Sequence, residues 1–329
     1  MGKIVVTGGA GYIGSHFADL AARKGNEVVI VDDLRLGHIQ AVGDLPLAKG
    51  DVGDPEFLDG LFGANKIDAV IHFAAYSQVA ESMQNPAKYY QNNVCGGLEL
   101  LKAMDRHGVE KLVFSSTCAV YGEPDALPIT ENNAMNPINP YGASKLCFER
   151  MAMDLSRSSN LRPVFLRYFN AAGADPEGKL GEDHNPETHL IPLVLRTALG
   201  LREAVMIFGD DYPTEDGSCV RDYIHVTDLA HAHLKALEYL DAGGAPDAFN
   251  MGGGQGCSVL QVVEAARRVT GVAINARKAP RRSGDPSTLI SSSKKAMDIL
   301  GWRPEFDNIE RIIETAWNWM KANPEGYRA

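Results

Sequence analysis

An α/β fold with a doubly wound parallel sheet is predicted by three observations. Short apolar runs alternate with helical stretches, the runs are apolar throughout rather than on alternate residues, and a glycine-rich turn joins the first run to the first helix. KIVVT opens the chain as a strand, and a helix follows over residues 12–24. EVVIVDD, AVIHFAA and KLVFSS read as further buried strands, separated by helices near 54–63 and 86–107. Another helix starts near Tyr141 and leads into the strand PVFLRYFN. Beyond about Asp175 the alternation gives way to Pro- and Gly-rich loops with helices near 190–200, 227–241, 258–270 and 309–322, the pattern of a smaller α/β lobe closing over the sheet.

The balance of charges narrows the partners. A chain of 329 residues, 45% hydrophobic, is long enough for a large core, and a net charge of -10 opposes general attraction to nucleic acid or to an anionic membrane. Any anionic ligand must therefore meet local arginines. Cys95, Cys118, Cys147, Cys219 and Cys257 form no close pair of the kind zinc or redox motifs use, and His231 and His233 fall on different faces of a helix, so no metal site is expected. Trp302, Trp317 and Trp319 read as core. With the first residues running straight into a strand and no apolar span later, the expectation is a cytoplasmic protein with reduced thiols.

The first strand ends in TGGAGYIGSH, with Gly8, Gly11 and Gly14 three apart at the start of a helix. Bare backbone there permits a tight turn, approach of amides to a pyrophosphate, and close packing of helix on strand. Asp32 and Asp33 end the next strand, near the spacing of ~20 residues at which a carboxylate meets a ribose hydroxyl. Strand, glycines, helix and acid together predict a Rossmann-type dinucleotide site, and a carboxylate that would repel an extra ribose phosphate selects NAD over NADP. Asp51, with Val52, lies where a third strand ends, either meeting an adenine edge or capping a turn. Residues 1–174 are accordingly read as the dinucleotide-binding domain and 175–329 as mostly a substrate lobe, with one strand-helix segment near 220–250 returning to the first.

Tyr141 and Lys145 stand four apart in NPYGASK, on one face of a helix. A phenol of ordinary pKa ~10 is a poor base at neutral pH, whereas a neighbouring ammonium and a nicotinamide cation both favour its phenolate. Ser115, Ser116 and Thr117 end a strand at the sheet edge where ligands of this fold bind, so a hydroxyl there could orient a substrate hydroxyl, and Ser115 is counted among the cofactor contacts.

TGGAGYIGSH, FSSTCAVYG, YGASK, RYFNAAGA, GDDYPTEDGSCVRDYIHV and APRRSGD, in this order over essentially the whole chain, resemble the UDP-glucose 4-epimerase family of extended short-chain dehydrogenases/reductases. The resemblance implies that Tyr141 is the general base, that Lys145 binds the nicotinamide ribose, and that Thr117 is the hydroxyl partner. It places Tyr12, Ile13, Asp32, Asp51, Val52, Phe73, Ala74, Ala75, Asn92 and Phe169 on NAD, and Asn170, Leu190, Phe208, Arg221, Arg282 and Asp285 on the UDP-sugar. Two guanidinium forks gripping a diphosphate also suit an acidic protein. Two departures stand out: THLIP puts His189 where enterobacterial-type relatives carry an asparagine that touches substrate, and Ser77 replaces a lysine that contacts the cofactor. Leu289, of intermediate bulk, holds the position that limits room for an N-acetyl group. A homodimer through the helices near 86–107 and 141–158 is implied as well.

The implied reaction is inversion at carbon 4 of a UDP-hexose through a 4-keto sugar, with NAD taking and returning a hydride. A 4,6-dehydratase is disfavoured because Cys118-Ala119 follows the threonine where that group carries Asp-Glu. Epimerases of UDP-N-acetylhexosamine, UDP-glucuronate or UDP-pentoses are close alternatives, and a catalytically silent NAD-sensing scaffold is the rival from another class.

Overall fold

The computed structural model describes residues 2–282 and 286–327. Seven parallel strands form the main sheet, in the order β10-β6-β5-β4-β1-β2-β3. They are β1 (Lys3–Thr7), β2 (Glu27–Asp32), β3 (Leu47–Lys49), β4 (Ile67–His72), β5 (Lys111–Thr117), β6 (Arg162–Tyr168) and β10 (Asp247–Met251). The order of strand addition reverses between β1 and β4, and that switch point opens a crevice at the carboxyl edge.

Helices cover both faces, which is why the strands carry almost no polar residue until their ends. Helix α1 (Tyr12–Arg23) packs with α8 (Val226–Asp241) on one side, burying Phe17, Ile30, Leu229 and Leu237. On the other side lie α2 (Pro55–Ala64), α3 (Val79–Gln84), α4 (Pro86–Tyr89), α5 (Gly97–Arg106) and α6 (Pro140–Ser156), over a core of Leu58, Leu100, Phe114 and Phe148. The single helix expected near 86–107 is broken, because a π-helical turn, Tyr90–Gly96, separates α4 from α5. One widened turn of this kind re-aims the side chains it carries, here Asn92 and Asn93.

The later lobe has a four-stranded sheet of β7 (Asn170–Ala172), β9 (Val220–His225), β11 (Gly256–Ser258) and β13 (Thr288–Leu289), beside the parallel pair β8 (Val205–Phe208) and β12 (Ala276–Ala279). Helices α7 (Leu190–Ala198), α9 (Val259–Thr270) and α11 (Ile309–Ala322) share a core with Trp319 and Tyr223, while α10 (Lys294–Ile299) packs on β10. Of the segment near 220–250, α8 and β10 join the main sheet, whereas β9 belongs to the smaller one. The two layers thus exchange chain at Phe169 and again at His225, so both walls of the crevice hang from the same strands. Trp302 and Trp319 are buried, and the Trp302 indole donates to the Asp228 carbonyl at 2.9 Å. Among the described residues no helix is long and apolar enough to cross a membrane, and no cysteine is in a disulfide.

Candidate active site

A cleft of about 1100 Å³ runs along the carboxyl edge between the two layers. Its floor is the glycine turn. Gly8 has a φ of +70°, and a side chain there would bring its Cβ within 2.5 Å of the Ala74 amide nitrogen; a Cβ on Gly14 would sit 2.2 Å from the Gly8 carbonyl oxygen. The loop therefore exists only as bare backbone. Gly11 caps α1 with no side-chain hydrogen bond, which leaves the amides of the first helical turn available to an anion. At the end of β2, Asp32 accepts from the Ala10 amide at 3.0 Å and the Leu34 amide at 2.9 Å, and burial raises its carboxyl above the usual range against those two bonds. Cradle, open helix end and acid fit an NAD pyrophosphate and adenosine ribose. Tyr12, Ile13, Asp33, Asp51, Val52, Phe73, Ala74, Ala75, Asn92 and Phe169 line the same cleft.

The catalytic corner is built by β5 and α6. Asn139 caps α6 by accepting from the Gly142 amide at 2.8 Å, and Pro140 supplies the first helical φ, so the helix starts immediately before Tyr141. Tyr141, Lys145 and Thr117 are all nearly buried and all line the cleft. Lys145 donates to the Ser115 carbonyl at 2.8 Å and lies 4.6 Å over the Phe114 ring, and burial pulls its ammonium down to about 7.

Burial acts on the phenol as well. Within the protein's own field the Tyr141 phenol is pushed up, chiefly by burial and then by Tyr168, while the Thr117 hydroxyl hydrogen-bonded to it acts in the opposite direction. The same apolar surroundings that hold the phenol also lower the neighbouring ammonium. Ser115, expected on the cofactor, is not among the residues lining the cleft; its hydroxyl pairs with Tyr168 at 2.9 Å and its carbonyl anchors Lys145.

Below this corner lies a buried polar chain that sequence reading missed. Ser116 donates to Glu149 at 2.5 Å, Arg167 grips the same carboxylate with a closest contact of 2.6 Å, and Arg167 donates to Tyr121 at 3.0 Å. Tyr121 donates in turn to Asn250 at 2.6 Å. The chain ties α6 to β5, β6 and β10 from beneath. Glu149 lies one turn beyond Lys145, so its only early signal was a second charged residue on the helix face that bears the base.

The opposite wall comes from the later lobe. Asn170 donates to the Asp222 carbonyl at 2.9 Å, and Leu190 begins α7. The Arg282 guanidinium lies 4.0 Å over the Phe208 ring. Arg221 donates to the carbonyls of Val220 and Pro286, each at 2.9 Å. All five residues line the cleft, as do Ser77, His189 and Leu289; Asp285 lies outside the described residues. Two further features went unread in the sequence. Arg35 bonds Asp33 at 2.5 Å and also pairs with Asp51 across the adenine end. Where no metal ligands were expected, Glu182, His184, Glu187 and His189 converge. His231 and His233, by contrast, are no pair: His233 is buried against Phe73 and bonds the Leu229 carbonyl at 2.9 Å.

Residues 4–252 match the model of the NAD dependent epimerase/dehydratase family. The chain is 55% identical to the UDP-glucose 4-epimerase of Halalkalibacterium halodurans over 324 residues, 98% of this chain and 97% of that one. It superposes on a crystal structure of a UDP-glucose 4-epimerase with a TM-score of 0.97 at 52% identity, covering 99% of this chain and 100% of the other. Against the Bifidobacterium longum UDP-glucose 4-epimerase, solved with NAD+ and UDP, the TM-score is 0.94 at 38% identity, covering 99% and 100%. With its glycine cradle, ribose acid and buried tyrosine-lysine pair on one crevice, the chain belongs to the NAD-dependent epimerase/dehydratase family.

Proposed function

We infer that the protein inverts carbon 4 of a UDP-hexose, interconverting UDP-glucose and UDP-galactose, with NAD bound along the carboxyl edge. One observation carries the reading: Tyr141 and Thr117 open into the same cleft as the glycine cradle on one side and the Arg282–Phe208 pair on the other. Bound NAD supplies a hydride acceptor that returns the hydride, so no net oxidation results. The protein's part is to hold and move a proton. Tyr141 takes it from the sugar's 4-hydroxyl, Thr117 shares a hydrogen bond with that phenol, and Lys145 stays fastened to the Ser115 carbonyl. Inversion needs a 4-keto sugar that presents its other face before the hydride comes back. A wall that grips the diphosphate through Arg221 and Arg282 while offering few charges near the hexose allows that turn.

Within this division the main sheet serves the cofactor and the later lobe the nucleotide sugar. Leu289, of intermediate bulk, packs against the cluster of Val120, Leu146 and Phe169 and lines the cleft, which supports testing N-acetylated substrates. A homodimer through α5 and α6, and a cytoplasmic site of action, accompany the reading as expectations carried by the resemblance. Purified protein mixed with UDP-galactose, and no added electron acceptor, should form UDP-glucose; unchanged substrate on protein that retains NAD would instead support a sensor. Parallel assays of UDP-N-acetylgalactosamine and UDP-galacturonate separate the hexose reading from its neighbours, and sedimentation gives the oligomeric state.

A further inference from the structure

We propose that Glu182, His184, Glu187 and His189 form a tetrahedral site for a zinc ion that staples the loop before α7. The segment GEDHNPETH runs along the mouth of the cleft, and one ligand atom from each of these residues lies within 4.8 Å of all the others. His184 Nδ1 is 3.2 Å from Glu182 Oε1 and 3.7 Å from Glu187 Oε2, and His189 Nδ1 contacts Glu182 Oε1 directly. Bonds of ~2.0–2.2 Å around tetrahedral zinc separate neighbouring ligand atoms by roughly 3.3–3.6 Å. The two His184 separations, 3.2 and 3.7 Å, lie close to that spacing, and His189 would have to draw back slightly from Glu182.

A second observation points into the same spot. The Glu187 side chain is 1% exposed, and one of its oxygens accepts from the Thr188 amide at 2.7 Å and the His189 amide at 2.8 Å. Its other oxygen is buried with no hydrogen-bond partner, and so is the His184 Nδ1 atom that faces it. A buried carboxylate oxygen without a hydrogen bond is costly unless a cation lies beside it. Two carboxylates and two neutral imidazoles balance a dication. The donor set selects the metal. Nitrogen and oxygen ligands in fourfold array suit zinc, while magnesium and calcium ask for six or more oxygens.

The loop is held on both flanks, which gives the staple something to act on. The Asp183 carbonyl oxygen lies 2.8 Å from His38 Nε2, its carboxylate accepts from the Tyr327 amide at 3.0 Å, and the His184 ring meets Tyr12 edge-on at 6.1 Å between centroids. His189 is the cap residue of α7, whose first residue, Leu190, lines the cleft. A metal here fixes the wall through which that helix enters. It takes no part in the proton chemistry, and the inference does not rest on the reaction proposed above.

The test uses the full chain, stripped with a chelator and then titrated with zinc chloride, with metal content read by elemental mass spectrometry. The expected result is about one zinc per chain and a thermal midpoint raised by roughly 5 °C when zinc exceeds its Kd a hundredfold. Cobalt(II) in its place should give the intense visible absorption of a tetrahedral site, and magnesium should do neither. Glu187→Gln and His184→Gln should each weaken zinc at least about tenfold while bound NAD and circular dichroism stay at wild-type levels, which separates loss of ligand from loss of fold. Wild-type protein that binds no stoichiometric zinc while retaining NAD, or zinc binding that both substitutions leave unchanged, overturns the proposal.

Discussion

The two walls of the cleft are built in opposite ways. The corner that carries Tyr141 and Lys145 comes from a single strand-helix pair, is nearly closed to solvent, and rests on the Ser116–Glu149–Arg167–Tyr121 chain. The facing wall is gathered from segments far apart in sequence, and its Arg282 is exposed and fixed by stacking on one ring. Chemistry that tolerates no misplacement is seated in the rigid half, and the ligand that must turn over is held by the half that can adjust. Bond geometry matters where protons move, while charge alone suffices where a diphosphate is gripped.

The contrast is broken first at the base. Tyr141→Phe removes the phenol that lines the cleft beside Thr117, so the rate of UDP-galactose conversion should fall by about 10³-fold or more with NAD still bound. Retention of near-normal turnover would dismantle the role of that wall. Glu149→Ala should be felt in stability, since it strands the Arg167 guanidinium in the core; about 3–5 kcal/mol should be lost in denaturant unfolding. Arg282→Ala should raise KM for the UDP-sugar about tenfold and leave kcat nearly unchanged, the mark of a group that binds ground and transition states alike. If kcat fell instead, the adjustable wall would share in the chemistry.

The smallest effect concerns acid. His72 and His225 are held down at about 3, and His233 at about 4, in each case chiefly because burial disfavours the cation. An unfolded histidine takes up its proton near 6.5, so between there and about 4 the unfolded chain binds more protons, and stability falls as pH drops through that window. Each ring contributes at most about 1.4 kcal/mol per pH unit. His72→Gln should flatten the slope, whatever it does to absolute stability; an unchanged slope would mean that the ring is charged where it packs on Phe114.

Features that reside in one short stretch were legible in the sequence. The glycine turn and Asp32 announce themselves because backbone space and a ribose acid each demand particular residue types at fixed places. Tyr141 and Lys145 were found because four residues make one helical turn. What escaped notice depends on chain segments that only folding brings together. Arg167 and Glu149 read separately as ordinary charges, and the π turn at Tyr90–Gly96 leaves no compositional trace. The metal-ligand quartet winds round a bend instead of a helix, so the familiar His spacings never arise. The phenol's burial went unseen for a related reason: spacing reveals a neighbour's charge but not how little water surrounds it.

Arg35 has a consequence for the choice of dinucleotide. An arginine near the ribose acid is the usual means of receiving a 2′-phosphate, yet here Arg35, three residues past Asp32, is already engaged by both Asp33 and Asp51. On the proposed reading, rejection of the phosphorylated coenzyme has two parts, repulsion from Asp32 and sequestration of Arg35, a nearby cation that could offset it. Neutralising Asp32 alone would leave that cation occupied, so a switch in coenzyme preference requires freeing Arg35 as well.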